Sequence, residues 1–484
     1  MKKNKKNYLY NIGYQLFALF VPLITTPYIA RTLSVAGIGT YSYTYSMMRY
    51  FWLLMAIGTA TYGTRLIGIC QKNSKERSEN FWSIFALKLF LFFCIGAIYL
   101  IYVAIYAQNK LIALIQGIYL IGVLFDITWF FQGMEDFGKV ALKNFFVKIL
   151  NVVYIFTCIK GENDLNKYIF GLAFFQLIGN VSMWFSLKKY LIKIDKKNIK
   201  PWIHFKESWQ LFLPSIATQV FSVIDKSMIG WITGNSTENG YYEQALKIIE
   251  MALVLVTTLG TVMLPSISRA FSEKDKEKIS KYIDNSIKFT FFMSIPMTLG
   301  LIAISDKFVP IFFGEQYIQS SNILKALSGL FIVMGLNSVF GTQYLISAKK
   351  QNVLTKILFI SGIINIVNNF IFIRKYGALG AAIGTFLGEL STLIMELFYL
   401  KRTHQYSIKR CLKNLRRYLV ASVIMFILLI ITQKNVSRLW QLIFSVILGI
   451  SMYVGMLVIL RDDLVMNEID NVKNKYLKKG ERFN

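Results

Sequence analysis

The stretch FWSIFALKLFLFFCIGAIYLIYVAIY, residues 81–106, decides the class of fold, because it runs for more than twenty residues with Lys88 as its one charge. A helix needs about 20 mostly apolar residues to cross the hydrocarbon core of a bilayer. Working outward in both directions, thirteen further segments satisfy the same reading: roughly 8–30, 40–66, 110–132, 139–159, 165–187, 208–233, 240–264, 282–304, 320–347, 353–373, 378–400, 416–432 and 439–460. The whole chain agrees: 55% of its 484 residues are hydrophobic and 15% aromatic, with a mean hydropathy of +0.48. That composition excludes an ordinary soluble enzyme. The expected fold is an all-α polytopic membrane protein of about 14 transmembrane helices. The basic start Met1-Lys-Lys-Asn-Lys-Lys reads as the flank of an uncleaved first helix, since Pro22, Pro27 and Arg31 follow it where a small-residue cleavage site would stand.

The net charge of +28 has to be placed on this apolar chain. Cytoplasmic loops collect Lys and Arg, and alternate loops of the fourteen-segment reading hold 39 of the 54 basic residues, against 9 in the intervening loops. A missed helix would invert the alternation downstream, so the split predicts an even helix number with both termini in the cytoplasm. It also removes the case for nucleic-acid binding, which needs the bases on one soluble face. Arg49, Lys88, Lys148, Lys226, Lys247 and Lys325 remain inside segments, with Asp126, Asp225, Glu250, Glu389 and Glu396. Lipid exposure of all of them would cost on the order of 30 kcal/mol, at about 2.5–3.5 kcal/mol per charge near a helix centre. They are expected to face a wet cavity, to pair, or to snorkel; Lys88, two turns from the inner face, is assigned to snorkelling.

Other chemistry is thin. Cys70, Cys94, Cys158 and Cys411 have no paired spacing, so neither a disulfide framework nor a metal site is indicated. His204 and His404 fall in cytoplasmic loops and are expected to be solvated. There is no phosphate-binding glycine loop, nucleophile elbow or zinc-protease motif, and the outer loops are short, which disfavours a membrane polymerase or ligase. No catalytic residue and no cofactor is expected.

Transporters often carry related halves. Gln15-Leu-Phe recurs as Gln210-Leu-Phe, Gly39-Thr-Tyr41 as Gly240-Tyr-Tyr242, Ser83-Ile84 as Ser286-Ile287, and Gly122 with Lys143 as Gly335 with Lys356. The offsets only grow along the chain, as a duplication with inserted loop residues would give. The expected organisation is a six-helix bundle over 1–187, a basic linker over 188–207, a second bundle over 208–400, and two further helices with a basic tail over 401–484. In helix 2, Tyr41, Tyr45, Arg49 and Trp52 share one face. Flat rings stack on sugars, and a guanidinium binds phosphate bidentately. In helix 8, Glu243, Lys247 and Glu250 share a face, which suits either internal pairing or a cation opposed to Arg49. Asp225 and Lys226 are neighbours about 100° apart, so only one of them can face a cavity fully. Lys148 stands with Asn144 and Asn151 on a polar stripe, and Gly380, Gly384 and Gly388 make a close-packing face.

These residues resemble a known family. Pro22-Leu-Ile-Thr-Thr-Pro-Tyr-Ile-Ala-Arg31, Gly37-Ile-Gly-Thr-Tyr41, Trp129-Phe-Phe-Gln-Gly-Met-Glu135, Asp225-Lys-Ser-Met-Ile-Gly230, Gly240-Tyr-Tyr-Glu-Gln-Ala-Leu-Lys247 and Leu264-Pro-Ser-Ile-Ser268 look like the polysaccharide repeat-unit (Wzx-like) flippases. That family belongs to the multidrug/oligosaccharidyl-lipid/polysaccharide (MOP, MATE-like) exporter superfamily. The resemblance implies movement of an undecaprenyl-pyrophosphate-linked oligosaccharide to the outer leaflet of the bacterial inner membrane, for capsule, exopolysaccharide or O-antigen. It also implies a cavity with Arg49 and Lys247 as its cations, Arg31 at the outer mouth, and a lipid groove at the last two helices. Lys226 joins the expected substrate contacts, while Asp126, Asp225, Glu250, Glu389 and Glu396 are candidates for coupling to a proton or sodium ion, the membrane potential being the other energy source. Implied partners are the lipid-linked substrate, membrane lipids, and a polymerase and glycosyltransferases of the same assembly line. A drug/cation antiporter, for which helix 1 lacks the expected acid, and a lipid II flippase are the competing readings.

Overall fold

The computed structural model describes residues 17, 20–403, 408–434, 436–467 and 470; His404 lies outside them, and of 213–222, 261 and 408–414 only the backbone is described. The described residues are nearly all helical, without a strand. Each of the fourteen expected segments overlaps a helix, and among the described residues ten helical stretches are long and apolar enough to cross a membrane. In chain order the helices are α1 (20–32), α2 (Val35–Ala56), α3 (Thr59–Ile69), α4 (Ser74–Ile105), α5 (Lys110–Gln116), α6 (Ile118–Phe125), α7 (Thr128–Gly133), α8 (Phe137–Cys158), α9 (Leu165–Ser182) and α10 (Ile203–Thr233). They continue as α11 (Ser236–Ser272), α12 (Lys276–Phe313), α13 (Ser320–Ser328), α14 (Leu330–Asn337), α15 (Gln351–Arg402), α16 (Ile408–Gln433) and α17 (Leu439–Ile459). A π-helical turn over Ser338–Ile346 follows α14.

The chain divides into two compact units, Met1–Gly240 and Tyr241–Asn484. The same local devices recur in both. Asn73 caps α4 by accepting from the Lys75 and Glu76 amides, and Asp275 caps α12 by accepting from the Lys278 amide; such caps hold the first turn by about 1 kcal/mol each. α5 ends at Gly117 and α13 at Gly329. α7 stops where Glu135 turns to φ 55°, and the π turn stops where Lys349 turns to φ 58°. The closing bonds correspond too, Asp136 N to Phe131 O at 2.8 Å and Lys350 N to Leu345 O at 2.8 Å. The paired local devices therefore correspond in the backbone of the two units.

In the first unit the break between α6 and α7 frees carbonyls inside the bilayer, where an unpaired one is costly. Three side chains take them. Asn180 Nδ2 donates to Gly122 O at 2.8 Å, Trp184 Nε1 to Phe125 O at 2.8 Å, and Lys88 Nζ to Asp126 O at 2.7 Å. Lys88 is buried, which corrects the snorkelling assignment: the broken helix offers it an acceptor inside the protein. Asp126 turns its carboxylate onto the Thr128 amide at 2.9 Å, and Lys143 reaches Thr128 Oγ1 and the other end of the Asn180 amide at 3.2 and 3.1 Å. Asn180→Leu, close in shape, strands the Gly122 carbonyl and takes one of the two acceptors from Lys143. It should lower stability by about 1–3 kcal/mol, read as a lower Tm of the purified protein; an unchanged Tm would show that the break does not depend on this amide.

The expectation that His204 is solvated is also corrected. His204, just before the apolar part of α10, is buried and shares a 2.8 Å hydrogen bond with the Tyr62 hydroxyl, because the start of α10 folds back onto α3. Burial pushes the imidazole below its ordinary value, and the neighbouring Glu207 opposes that shift. A depressed histidine keeps its stabilising contribution above the unfolded value of about 6.5 and loses it as pH falls, since the released ring takes the proton more readily. Hydrogen exchange at residues 200–206, corrected for intrinsic rate, should therefore accelerate below about pH 6.5. The acceleration should vanish in His204→Gln; equal profiles for the two proteins would sink the assignment.

In the second unit, Gly377 (φ 56°, ψ −130°) kinks α15 into two antiparallel stretches. Gly380 and Gly384 let these close on each other: a Cβ there would lie 2.1 Å from Phe372 O and from Asn369 Oδ1. α12, α16 and α17 share one apolar core, and Tyr453 ties α17 to α12 through a 2.8 Å bond to Phe292 O.

Candidate functional site

The face of α2 predicted from spacing is present, and neighbouring helices extend it. Tyr41 and Tyr45 stack with ring centroids 5.6 Å apart. Tyr168 of α9 meets the first edge-on at 5.7 Å, and Tyr119 of α6 meets the second at 5.4 Å. One turn on, the Arg49 guanidinium lies 4.0 Å over the Trp52 ring, a cation–π contact that helps fix the position of the charge. Arg49 is half-buried. The opposite side of α2 is tied to α10 by hydroxyls, with Ser227 Oγ 3.0 Å from both Tyr50 Oη and Ser46 Oγ. Tyr119 and Tyr168 escaped the sequence reading because periodicity reports one helix at a time.

The N-terminal end of α2 is closed by backbone. A Cβ on Gly39 would fall 1.6 Å from Ser236 O, and one on Gly240 2.2 Å from Val35 O. These are the two glycines paired in the internal repeat, and only their missing side chains permit the crossing. Beside it lies a polar cavity of about 210 Å³, lined by Thr40, Thr44, Gln108, Asn109, Ser236 and Asn239 among others. Both polar atoms of the buried Asn239 amide lack a hydrogen-bond partner. The loop residues Gln108 and Asn109 carry no periodic signal that could have announced this pocket.

The other expected residues are distributed as follows. Asp225 is buried and its neighbour Lys226 half-buried; Arg31 is exposed at the end of α1. In the second unit Lys247 pairs with Glu243 at 3.5 Å, the internal pairing that the helix spacing allowed, and Glu250 is exposed. Lys325 is held by both carboxylate oxygens of Asp306, at 2.6 and 2.7 Å. Glu389 accepts from Asn337 Nδ2 at 2.8 Å. Glu396 is buried against Gly341, with Oε2 lacking a hydrogen-bond partner. Among the described residues no cluster of His, Cys, Asp or Glu could hold a metal ion. The same unit carries an apolar groove of about 540 Å³ that α11, α12, α16 and α17 line, with Leu255, Met293, Pro296, Met425, Leu429 and Ile450 on its walls.

An aromatic and cationic helix face in one unit, an apolar groove in the other and helices of membrane-crossing length among the described residues describe a multi-pass helical membrane protein. The fold matches the solved structure of the lipid II flippase MurJ, with a TM-score of 0.75 at 20% identity over 95% of this chain and all of that one. It also matches an inward-facing MATE family multidrug resistance transporter, with a TM-score of 0.59 at 15% identity over 78% of this chain and 94% of that one. The chain belongs to the polysaccharide biosynthesis protein family, whose profile matches residues 5–271; the MatE profile matches 211–371. It is 24% identical to a putative O-antigen transporter of Shigella dysenteriae, over 78% of this chain and 95% of that protein. It is 26% identical to the probable low-salt glycan biosynthesis flippase Agl15 of Haloferax volcanii, over 66% and 67%.

Proposed function

We propose that this protein carries an undecaprenyl-pyrophosphate-linked oligosaccharide repeat unit from the inner to the outer leaflet by alternating access, with both termini in the cytoplasm. The observation that carries the reading is the α2 face, where four tyrosine rings and the Arg49–Trp52 pair stand together. The rings suit the apolar faces of sugars, Arg49 and Lys247 suit the diphosphate, and the groove against α16 and α17 suits the prenyl tail. On this reading Arg31 guards the outer mouth and Lys226 adds a second contact to the diphosphate. The match to the polysaccharide biosynthesis profile favours an oligosaccharide over lipid II as the cargo. The protein acts as a transporter rather than an enzyme; glycosyltransferases supply its substrate and a polymerase consumes its product.

Moving about two negative charges outward across an inside-negative membrane gains roughly 2.3 kcal/mol per charge per 100 mV, so the potential can set direction. A proton or sodium gradient acting through Asp126, Asp225, Glu250, Glu389 or Glu396 is the alternative energy source. The test is reconstitution into vesicles with a defined lipid-linked oligosaccharide, scoring its arrival in the opposite leaflet while potential, pH gradient and sodium gradient are imposed separately. Transfer that requires the protein supports the reading; transfer of free cationic drugs but not of the glycolipid would replace it with drug export.

A further inference from the structure

The basic segment after α9 is a fitted strap rather than a loose linker. Arg77 donates through its guanidinium to the carbonyls of Tyr190 and Gln71. The Ile192 amide donates to Ser78 Oγ at 3.0 Å, the Lys200 amide to Ser83 Oγ at 3.0 Å, and Asn198 Nδ2 to Glu79 Oε1 at 2.6 Å. At its near end Tyr190 Oη donates to Asp136 Oδ2 at 2.8 Å and accepts from Lys139 at 3.0 Å. Arg77, Ser78 and Ser83 of α4 thus hold the main chain of 190–200 and Glu79 holds the Asn198 side chain, which leaves most of the strap's own side chains to make a surface.

That surface has two components. Under the strap lies a groove of about 550 Å³ with an apolar floor that includes Trp82, Trp184 and Ile199, and with Lys188, Lys193 and Lys196 among its lining. The Trp184 ring is fixed, since its N–H is committed to Phe125 O. From 188 to 200 every lysine is exposed, and the one acid, Asp195, is turned onto the Lys197 amide at 3.1 Å. Large apolar side chains are exposed at the same level: Phe185 at 79%, Trp202 at 59% and Ile192 at 48%. Exposed lysines interleaved with exposed aromatic and aliphatic groups suit the headgroup layer of a leaflet, where charge faces phosphate and carbon faces the acyl boundary.

We propose that this groove binds an anionic phospholipid of the cytoplasmic leaflet, its glycerol and upper acyl carbons against Trp82, Trp184 and Ile199 and its phosphate among Lys188, Lys193 and Lys196. The inference rests on the cytoplasmic placement of this segment given above. None of these residues belongs to the α2 face or the apolar groove, so the site is separate from the transport path.

The test uses the full chain in vesicles of phosphatidylcholine doped with brominated phosphatidylglycerol or brominated phosphatidylcholine, reading quenching of tryptophan fluorescence. The wild type should be quenched preferentially by the phosphatidylglycerol, and Trp184→Phe should remove part of that signal. Lys188→Gln/Lys193→Gln/Lys196→Gln should weaken the preference on the order of a hundredfold, and the corresponding triple arginine variant should restore it. Equal quenching by the two lipids, or a preference that survives the triple glutamine variant, overturns the proposal. Displacement of the brominated lipid by stoichiometric lipid-linked diphosphate also overturns it and makes the groove a substrate entry site. Glycolipid transfer measured on the same vesicles separates the two readings: its failure with lipid selectivity intact counts against the flippase alone.

Discussion

Arg49→Ala should reduce surface polysaccharide, and glycolipid transfer in vesicles, at least tenfold while the protein stays in the membrane at wild-type level. A hydrogen bond from a charged donor is worth about 1.5–3 kcal/mol, and a guanidinium makes two of them to a phosphate. Arg49 is also held in place by Trp52, so its geometry is set before the ligand arrives. Arg49→Lys keeps the charge but loses the fork and the stacking; it should fall between the two. Lys247→Ala should act in the same direction and leave Glu243, buried beside it, without its cation, so part of its effect should appear as a lower Tm. Glu243→Gln with Lys247→Ala restores the stability and not the transfer. Normal polysaccharide in both single variants would remove Arg49 and Lys247 from the transport path.

Gly39→Ala should be the most damaging single methyl in the first unit. Its Cβ would meet the Ser236 carbonyl at 1.6 Å and the Gly240 nitrogen at 2.7 Å, both main-chain atoms that no rotamer change can move. Overpacking costs about 1–3 kcal/mol in ordinary cores and more where backbone must shift. The start of α2 would have to separate from the start of α11. Gly240→Ala, 2.2 Å from Val35 O, should do the same from the other side, whereas Gly96→Ala, with open space around it, should be silent. Thermal unfolding of the three purified variants checks the ranking; a Gly39→Ala protein as stable as Gly96→Ala would show that the crossing is not tight in the membrane.

Some of this was legible beforehand and some was not, for reasons that can be traced to particular residues. The segments were legible because an apolar run of bilayer length has one outcome in lipid, a helix that satisfies its own backbone. The α2 face was legible because Tyr41, Tyr45, Arg49 and Trp52 recur at helical spacing. The repeat was legible in short matches and is stronger in the backbone, where the caps at Asn73 and Asp275 and the reversals at Glu135 and Lys349 correspond. Lys88 and His204 were misplaced because a lone polar residue near an interface has two homes, water or a partner. Lys88 found the carbonyl of a broken helix, and His204 found Tyr62 across 142 positions of chain. The strap was read only as a basic linker, since the serines and the arginine that hold it lie more than a hundred residues earlier.

By itself, then, the sequence determined which residues enter the bilayer and which helix faces carry charge and rings, because both follow from transfer free energy and a fixed 3.6-residue period. Tertiary structure decided which faces meet. It brought Tyr119 and Tyr168 to the α2 tyrosines, closed Gly39 against Ser236 and pinned the basic strap to α4. Those outcomes depend on contacts between groups far apart in the chain, whose energies exist only once the helices have packed.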